Sequence, residues 1–288
     1  MMERIPSKDY GKNKAEKFKD ENEVYLPSEL SRLVSADSIQ KNVKNYPEMI
    51  RDLTEIQKER VDKIKNILTK IPLIHTSSNE QIAKGVSDII PLDELPNDHR
   101  GHSYKSDRSL GLTKYVFLNW GMSDRGHCYG KFVSKFSTNL LDDERTIVTP
   151  MDIGQIVLAD EYSFDELELE KKQRIEDYYF KYIVSGKAWK EIIARRVLKE
   201  LEAGKHFFLL NSSYSLGEIK HYGSVDAKNF IGSFPVSDLR ENFRFLYEHG
   251  FAFDNVETEG VENRKRIYEQ CKIDYKKASG FWKNKLKL

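Results

Sequence analysis

The chain has 288 residues, of which 39% are apolar, with 47 basic and 46 acidic side chains. This apolar content can build a sizeable core, which excludes global disorder. The net charge of +1 argues against a dedicated nucleic-acid binder. The sequence has no apolar run of about 18 residues, so no membrane span is predicted. The two cysteines, Cys128 and Cys271, are too few for a disulfide framework and fit a reducing compartment.

The N-terminal quarter of the chain is predicted to be a leader followed by helices. Residues 1–28 contain Pro6, Pro27 and dense charge, which predicts a flexible leader. From Ile50 onward, apolar residues recur mostly at spacings of three or four with charged residues between them. This is the pattern of an amphipathic helix, which must end before Pro72. Residues 29–70 are therefore predicted to form a helical segment.

After Pro72, short apolar runs alternate with clusters of Gly, Asp, Asn and Ser, which is typical of β-strands joined by long loops. Helical periodicity interrupts this pattern over 165–184 and 189–201, and Gly204 is a stop signal after the second stretch. Residues 71–235 are predicted to be one domain and 236–288 a helical C-terminal segment, with helices after Asp238 and over 261–277. The fold class is α+β, a mixed or antiparallel sheet flanked by helices at both ends. The predicted strands are 73–74, 115–118, 132–136, 146–148, 156–158, 206–210 and 216–221.

No motif for a metal or for a nucleotide phosphate is present in the sequence. His99 and His102 share a loop and Cys128 lies downstream, but no Cys-x-x-Cys or His-Glu-x-x-His supplies a convincing ligand set. There is also no Gly-rich loop followed by Lys-Ser or Lys-Thr. We predict no metal site.

Two interpretations of other classes stay open. Cys128 follows His127, and a cysteine hydrolase needs an imidazole beside its thiolate. Adjacent residues of a strand point to opposite faces, however, which places His127 poorly for this role. Alternatively, the protein is a non-enzymatic α+β binding module whose aromatic residues all pack in the core.

Four short pieces of sequence occur in an order that resembles a known family. The first is His75-Thr76-Ser77 at a strand, and the second is the Phe117 strand. His127, with Phe132 five residues later, is the third, and Glu218 with Val225 and Asn229-Phe230 after it is the fourth. Together they resemble ADP-ribosyltransferases over residues 71–234. The spacing is most similar to type III effectors of bacteria that modify a threonine of ubiquitin, and to the caspase-directed ADP-riboxanases.

The resemblance implies an ADP-ribosyltransferase-like fold that uses NAD and no metal. Glu218 would be the catalytic acid, and the residue before it, Gly217, would let the backbone approach a ligand closely. Asp142 and Asp143 are the nearest candidates for a further acidic residue of the family. The implied NAD-binding residues are His75, Thr76, Ser77, Phe117, His127 and Phe132, and the diphosphate would take one of Arg100, Lys105, Arg108 and Arg125.

The same resemblance implies a virulence effector, or toxin, that a bacterium injects into the host cytosol, with the leader as its export signal. Its partner would be a host protein, and neither nucleic acid nor a membrane is expected. Caspase-directed members carry ankyrin repeats after the glutamate strand, whereas residues 235–288 show no repeat. Ubiquitin is therefore the favoured acceptor, a caspase is the alternative, and blocked host ubiquitination is the expected consequence.

Overall fold

The main element of the fold is a seven-stranded sheet of order β5-β4-β7-β2-β1-β3-β8, in which every pair is antiparallel. Strands β6 and β9 form a separate parallel pair. The computed structural model describes residues 24–96, 105–121, 130–149, 163–204, 208–210, 216–236, 238, 251–253 and 285–286. The strands are β1 Leu73–Ser77, β2 Tyr115–Trp120, β3 Phe132–Phe136, β4 Thr146–Thr149, β5 Val184–Ser185, β6 Phe208–Leu210, β7 Glu218–Tyr222, β8 Phe230–Pro235 and β9 Phe251–Phe253.

Eight α-helices are described, and the two longest have clear start signals. Thr54 and Gln57 form a capping box at the start of α4, and Ser185 caps α8 by accepting the Ala188 N–H. The helices are α1 Ser28–Ser31, α2 Ala36–Asn42, α3 Pro47–Ile50, α4 Glu55–Leu68, α5 Glu80–Ala83, α6 Lys105–Ser109, α7 Leu169–Tyr178 and α8 Gly186–Glu202.

The sheet is covered on both faces. Leu118 and Ile219 point to one face and share a core with α4 and α8, whose apolar stripes are buried. Tyr115 and Ile147 point to the other face and share a second core with α1, α2 and α7. Strand alternation thus divides the apolar residues of β2, β4 and β7 between two cores.

The sheet is weakly joined at its centre. Among the described residues, β1 and β2 share only the pairs Leu73–Trp120 and Ile74–Asn119. In contrast, β1 pairs with β3 along five residues, and β2 pairs with β7 along five. The sheet therefore consists of two firm ladders, β5-β4-β7-β2 and β1-β3-β8, which meet at this short junction.

The α+β prediction is confirmed, and several elements lie where the pattern placed them. β3 has the predicted bounds, and α4 lies within the predicted helix before Pro72. The predicted helix over 165–184 is wrong at both ends, because Phe164–Glu166 and Phe180–Tyr182 are 3-10 turns and Val184 pairs with Val148 as part of β5. β8 and β9 were not predicted. The predicted strand 156–158 and helix 261–277 lie outside the described residues.

The described end of the predicted leader lies against the folded chain. Val24 is buried in the second core, and the Tyr25 N–H donates to the Glu144 carbonyl. Residues 1–23 lie outside the described part.

Candidate active site

Glu218 is the first residue of β7, a central strand between β2 and β4. It lies opposite Asn119 of β2 and Thr149 of β4. Directly paired residues of antiparallel strands point to the same face, so these three polar side chains form one row across the sheet. We call this side the Glu218 face. The Glu218 side chain is 13% exposed, but its Oε2 atom is buried.

Two tryptophans fix the backbone that carries Glu218. Trp120 exchanges two backbone hydrogen bonds with Leu216 and Gly217, and the Trp189 indole N–H donates to the Leu216 carbonyl. Gly217 has φ +141°, and a Cβ there would lie 2.6 Å from Trp189 Nε1. The expectation that Gly217 admits a ligand is therefore wrong, because the Trp189 ring fills that space.

Lys220 is the closest cationic partner described for Glu218. Its Nζ lies 2.8 Å from Glu218 Oε1 and donates to Thr149 Oγ1 at 2.9 Å. The same Nζ lies 4.7 Å from the centre of the Phe117 ring. Lys220 is only 1% exposed, so its charge needs these partners to be tolerated inside the protein. Two oxygens and one aromatic face match the three N–H groups of an ammonium.

His75 lies beside this cluster on β1, but Ile74 is the residue that pairs with Asn119, so the adjacent His75 side chain points to the face opposite Glu218. Its Nδ1 lies 3.0 Å from the carbonyl oxygen of Phe117, so that nitrogen carries the proton and donates. Burial lowers the pKa of His75, against a smaller opposite effect of this hydrogen bond. At neutral pH the imidazole is therefore neutral, and Nε2 is an acceptor. Glu218, Lys220 and Phe117 are thus in contact on the Glu218 face, and His75 reaches only the backbone carbonyl of Phe117.

The other implied cofactor residues on β1 and β3 lie beyond His75. Ser77 is paired with Phe132, and both point to the same side of β1 as His75. Thr76 points to the opposite side. A Cβ at Gly130 would lie 2.3 Å from the Ser77 carbonyl carbon, so only glycine fits against β1 there.

Several implied residues cannot be placed, because His99, Arg100, His102, Arg125, His127 and Cys128 lie outside the described residues. Of the diphosphate candidates, Lys105 and Arg108 are both exposed on α6. The structure does not bring either into the contacts described above.

Asp142 and Asp143 lie at the opposite end of β4 from Thr149, and both face cations. Asp142 pairs with Lys190, and Asp143 accepts two hydrogen bonds from the Arg145 side chain. Burial raises the pKa of Asp143, but the bonds and charge of Arg145 outweigh it and the pKa lies below its ordinary value. Both carboxylates therefore have local structural partners, away from Glu218.

Sequence reasoning missed Lys220, Thr149 and Asn119. A signal for Lys220 was present, because a lysine two residues after a strand glutamate must share its face. In a central strand, such a pair is buried only if the two charges meet. The cross-strand partners had no such signal, because register is set by tertiary packing.

Within the described ranges, no group of three or more His, Cys, Asp or Glu side chains is arranged to hold a metal ion. No helix in the same part of the chain is long and apolar enough to cross a membrane.

Comparison with models of known protein families finds no match, and no curated protein matches the sequence.

Proposed function

We propose that the protein is an NAD-dependent mono-ADP-ribosyltransferase with an ADP-ribosyltransferase-like fold, in which Glu218 is the catalytic acid. One observation carries the proposal. Glu218 is the more exposed member of a buried ion pair, with 13% exposure against 2% for the Lys220 side chain. The negative end of the pair therefore lies nearer to solvent than the positive end.

The residues around Glu218 suit the chemistry of NAD. Its ribose hydroxyls are donors, which the Glu218 carboxylate can accept. Its nicotinamide is flat and cationic, which suits an aromatic ring. Lys220 already lies over one face of Phe117, so the proposal assigns the other face to nicotinamide. His75, Ser77 and Phe132 point to the opposite face of the sheet, so the proposal assigns them no contact with the ribose at Glu218.

Bound NAD supplies a glycosidic bond whose cleavage develops positive charge on the ribose. Glu218 stabilises that charge because its position is fixed before the reaction, on a strand held by Trp120 and Trp189. Lys220 keeps Glu218 ionised, and its own charge lies deeper in the sheet than the carboxylate.

The choice of acceptor rests on the resemblance of the four sequence pieces. We assign the protein to the effectors that a bacterium delivers to the host cytosol and that modify a threonine of ubiquitin. A caspase acceptor is the alternative.

Intact-mass spectrometry tests this function. Purified protein is incubated with NAD and either ubiquitin or a caspase. A host lysate with labelled NAD is used to find any other acceptor protein. We expect NAD-dependent addition of one ADP-ribose to ubiquitin, and the same addition by a Cys128→Ala variant. A folded wild-type protein that neither transfers ADP-ribose nor releases nicotinamide would contradict the proposal. Loss of activity in Cys128→Ala alone would favour the cysteine hydrolase.

A further inference from the structure

Lys220 occupies a position that the proposed reaction does not itself explain. It is among the largest fully buried side chains of the protein, yet it carries a charge. A lysine buried this deeply on a central strand lowers stability unless its partners are in place. An apolar residue would pack there without that requirement, so the ion pair needs a reason beyond packing.

The contacts of Lys220 fix its ammonium group and, through it, the Glu218 carboxylate. The Thr149 hydroxyl and the Phe117 ring come from the strands on either side of β7. They hold the ammonium at one point between β2 and β4. Because Glu218 Oε1 lies 2.8 Å from that point, one carboxylate oxygen is held in place as well. Rotation of the carboxylate would break a buried charge-assisted hydrogen bond.

We infer that Lys220 is a positioning residue: it orients Glu218 and keeps it ionised for the proposed transfer, without contacting the substrate. This inference rests on the proposed function. The Lys220 side chain is 2% exposed, so it is not available to bind the diphosphate of NAD. Thr149 supports it from β4 as the second oxygen partner of the ammonium.

Few other described groups can set the charge state of Glu218. On the Glu218 face, the next paired row along β2 and β7 is Tyr115 with Tyr222, and burial raises the pKa of Tyr115 well above its ordinary value. His75 is neutral at neutral pH because burial lowers its pKa. β4 places Thr149 and Ile147 beside the pair. Lys135 of β3 lies in the same row as Glu218, three strand spacings or about 14 Å away.

Lys135 is a matched control. Its Nζ lies 5.5 Å from the centre of the Phe234 ring, so Lys135→Met also removes a lysine–aromatic contact from this sheet. The test compares Lys220→Met, Lys220→Arg and Thr149→Val with Lys135→Met. Circular dichroism first establishes that each variant is folded. Turnover and KM for NAD are then measured between pH 5 and pH 9.

We expect Lys220→Met to lower kcat at pH 6 at least about tenfold, with KM for NAD changed less than about twofold. Its activity should recover as pH rises, because Glu218 without its cation ionises only at higher pH. Lys220→Arg should restore activity near pH 6, since it keeps the charge. Thr149→Val should lower kcat in the same direction but less, and it serves as the test if Lys220→Met does not fold. Lys135→Met should behave like the wild type.

A nuclear magnetic resonance titration separates this inference from the proposed function. Protein labelled with ¹³C at the glutamate carboxyls is titrated, and the Glu218 signal is assigned by its loss in Glu218→Gln. Lys220→Met should move the Glu218 titration upward by about one to three pH units, whether or not the protein cleaves NAD. An unmoved titration, or a folded Lys220→Met enzyme with wild-type kcat at every pH, would overturn the inference. An inactive wild-type protein with a moved titration would overturn the transferase instead.

Discussion

Lys220 and His221 are consecutive residues of β7, and they show two ways of burying a basic side chain. Lys220 points to the Glu218 face and keeps its charge against a carboxylate, a hydroxyl and an aromatic ring. His221 points to the other face, where its Nδ1 and the Thr146 hydroxyl lie 2.8 Å apart. Because that hydroxyl already donates to the Leu140 carbonyl, His221 Nδ1 is the donor.

The two environments differ in charge. Burial, together with the positive charge of Arg145, lowers the pKa of His221 to about 4, against a smaller opposite effect of Asp143. No described residue hydrogen-bonds the buried Nε2. Neutral histidine is thus the stable form on one face of β7, whereas a charged pair is retained on the other, where the Glu218 side chain is 13% exposed. A buried charged pair of this kind is a candidate functional site.

The largest expected effect comes from breaking the charged pair on one side only. At pH 7, Glu218→Gln should lower the free energy of unfolding by about 4 kcal/mol, because it leaves a buried ammonium. Lys220→Met should lower it by about 3 kcal/mol, since Glu218 can take up a proton instead, at a smaller cost. Urea denaturation measures both values.

The double variant Glu218→Gln/Lys220→Met is the control for this prediction. Without either charge, it should recover most of the lost stability. Additive losses in the double variant would show that the two residues do not interact.

His221 should make stability depend on pH between about 4 and 6.5. Below pH 6.5 the unfolded chain binds a proton at this residue, but the folded protein does not until about pH 4. The free energy of unfolding should therefore fall as pH falls, by about 3 kcal/mol in total. Urea denaturation of the wild type and of His221→Gln at several pH values in this range measures the contribution of His221. It is the difference between the two slopes of unfolding free energy against pH.

His75→Gln serves as a comparison for this pH dependence, because burial also lowers the pKa of His75. His75→Gln should reduce the dependence of the free energy of unfolding on pH by an amount separate from that of His221→Gln. If the free energy of unfolding depends on pH equally in the wild type and in His221→Gln, then His221 titrates alike in the folded and unfolded states.

A smaller effect is expected from a substitution of Gly217, the residue before Glu218, whose backbone packs against Trp189. Gly217→Ala should lower the free energy of unfolding by about 2 kcal/mol, because φ +141° disfavours a side chain and the new methyl meets Trp189. Gly223 follows the same strand with φ +73°, and a Cβ added there would meet no atom of the described residues within 4 Å. Gly223→Ala should cost only about 1 kcal/mol. Thermal unfolding compares them, and equal losses would show that the Trp189 contact adds nothing.

Periodicity was enough to predict the elements whose own residues carry the signal. α4 has a capping box and a buried stripe, and β3 is bounded by polar residues. β5 has only two residues, and its strand state comes from pairing with β4. β8 contains Gly232 and Pro235, which weaken a strand signal but are tolerated at the edge of a sheet.

The candidate site was predictable one residue at a time but not as a cluster. Glu218 and His75 could be chosen from local patterns. The meeting of Glu218, Lys220 and Thr149 depends on the register of β7 with β4, which no local pattern specifies. The role of Gly217 was misjudged because its neighbour, Trp189, comes from a distant helix.

Turnover of NAD by the double variant Glu218→Gln/Lys220→Met tests the central claim most directly. This variant removes the carboxylate without leaving a lone buried charge, so loss of activity cannot be attributed to unfolding once its denaturation curve is measured. We expect a folded protein whose transfer rate is at least about a hundredfold below that of the wild type, the usual effect of losing a preorganised charge stabiliser. A folded double variant that transfers ADP-ribose at the wild-type rate would contradict the assignment of Glu218.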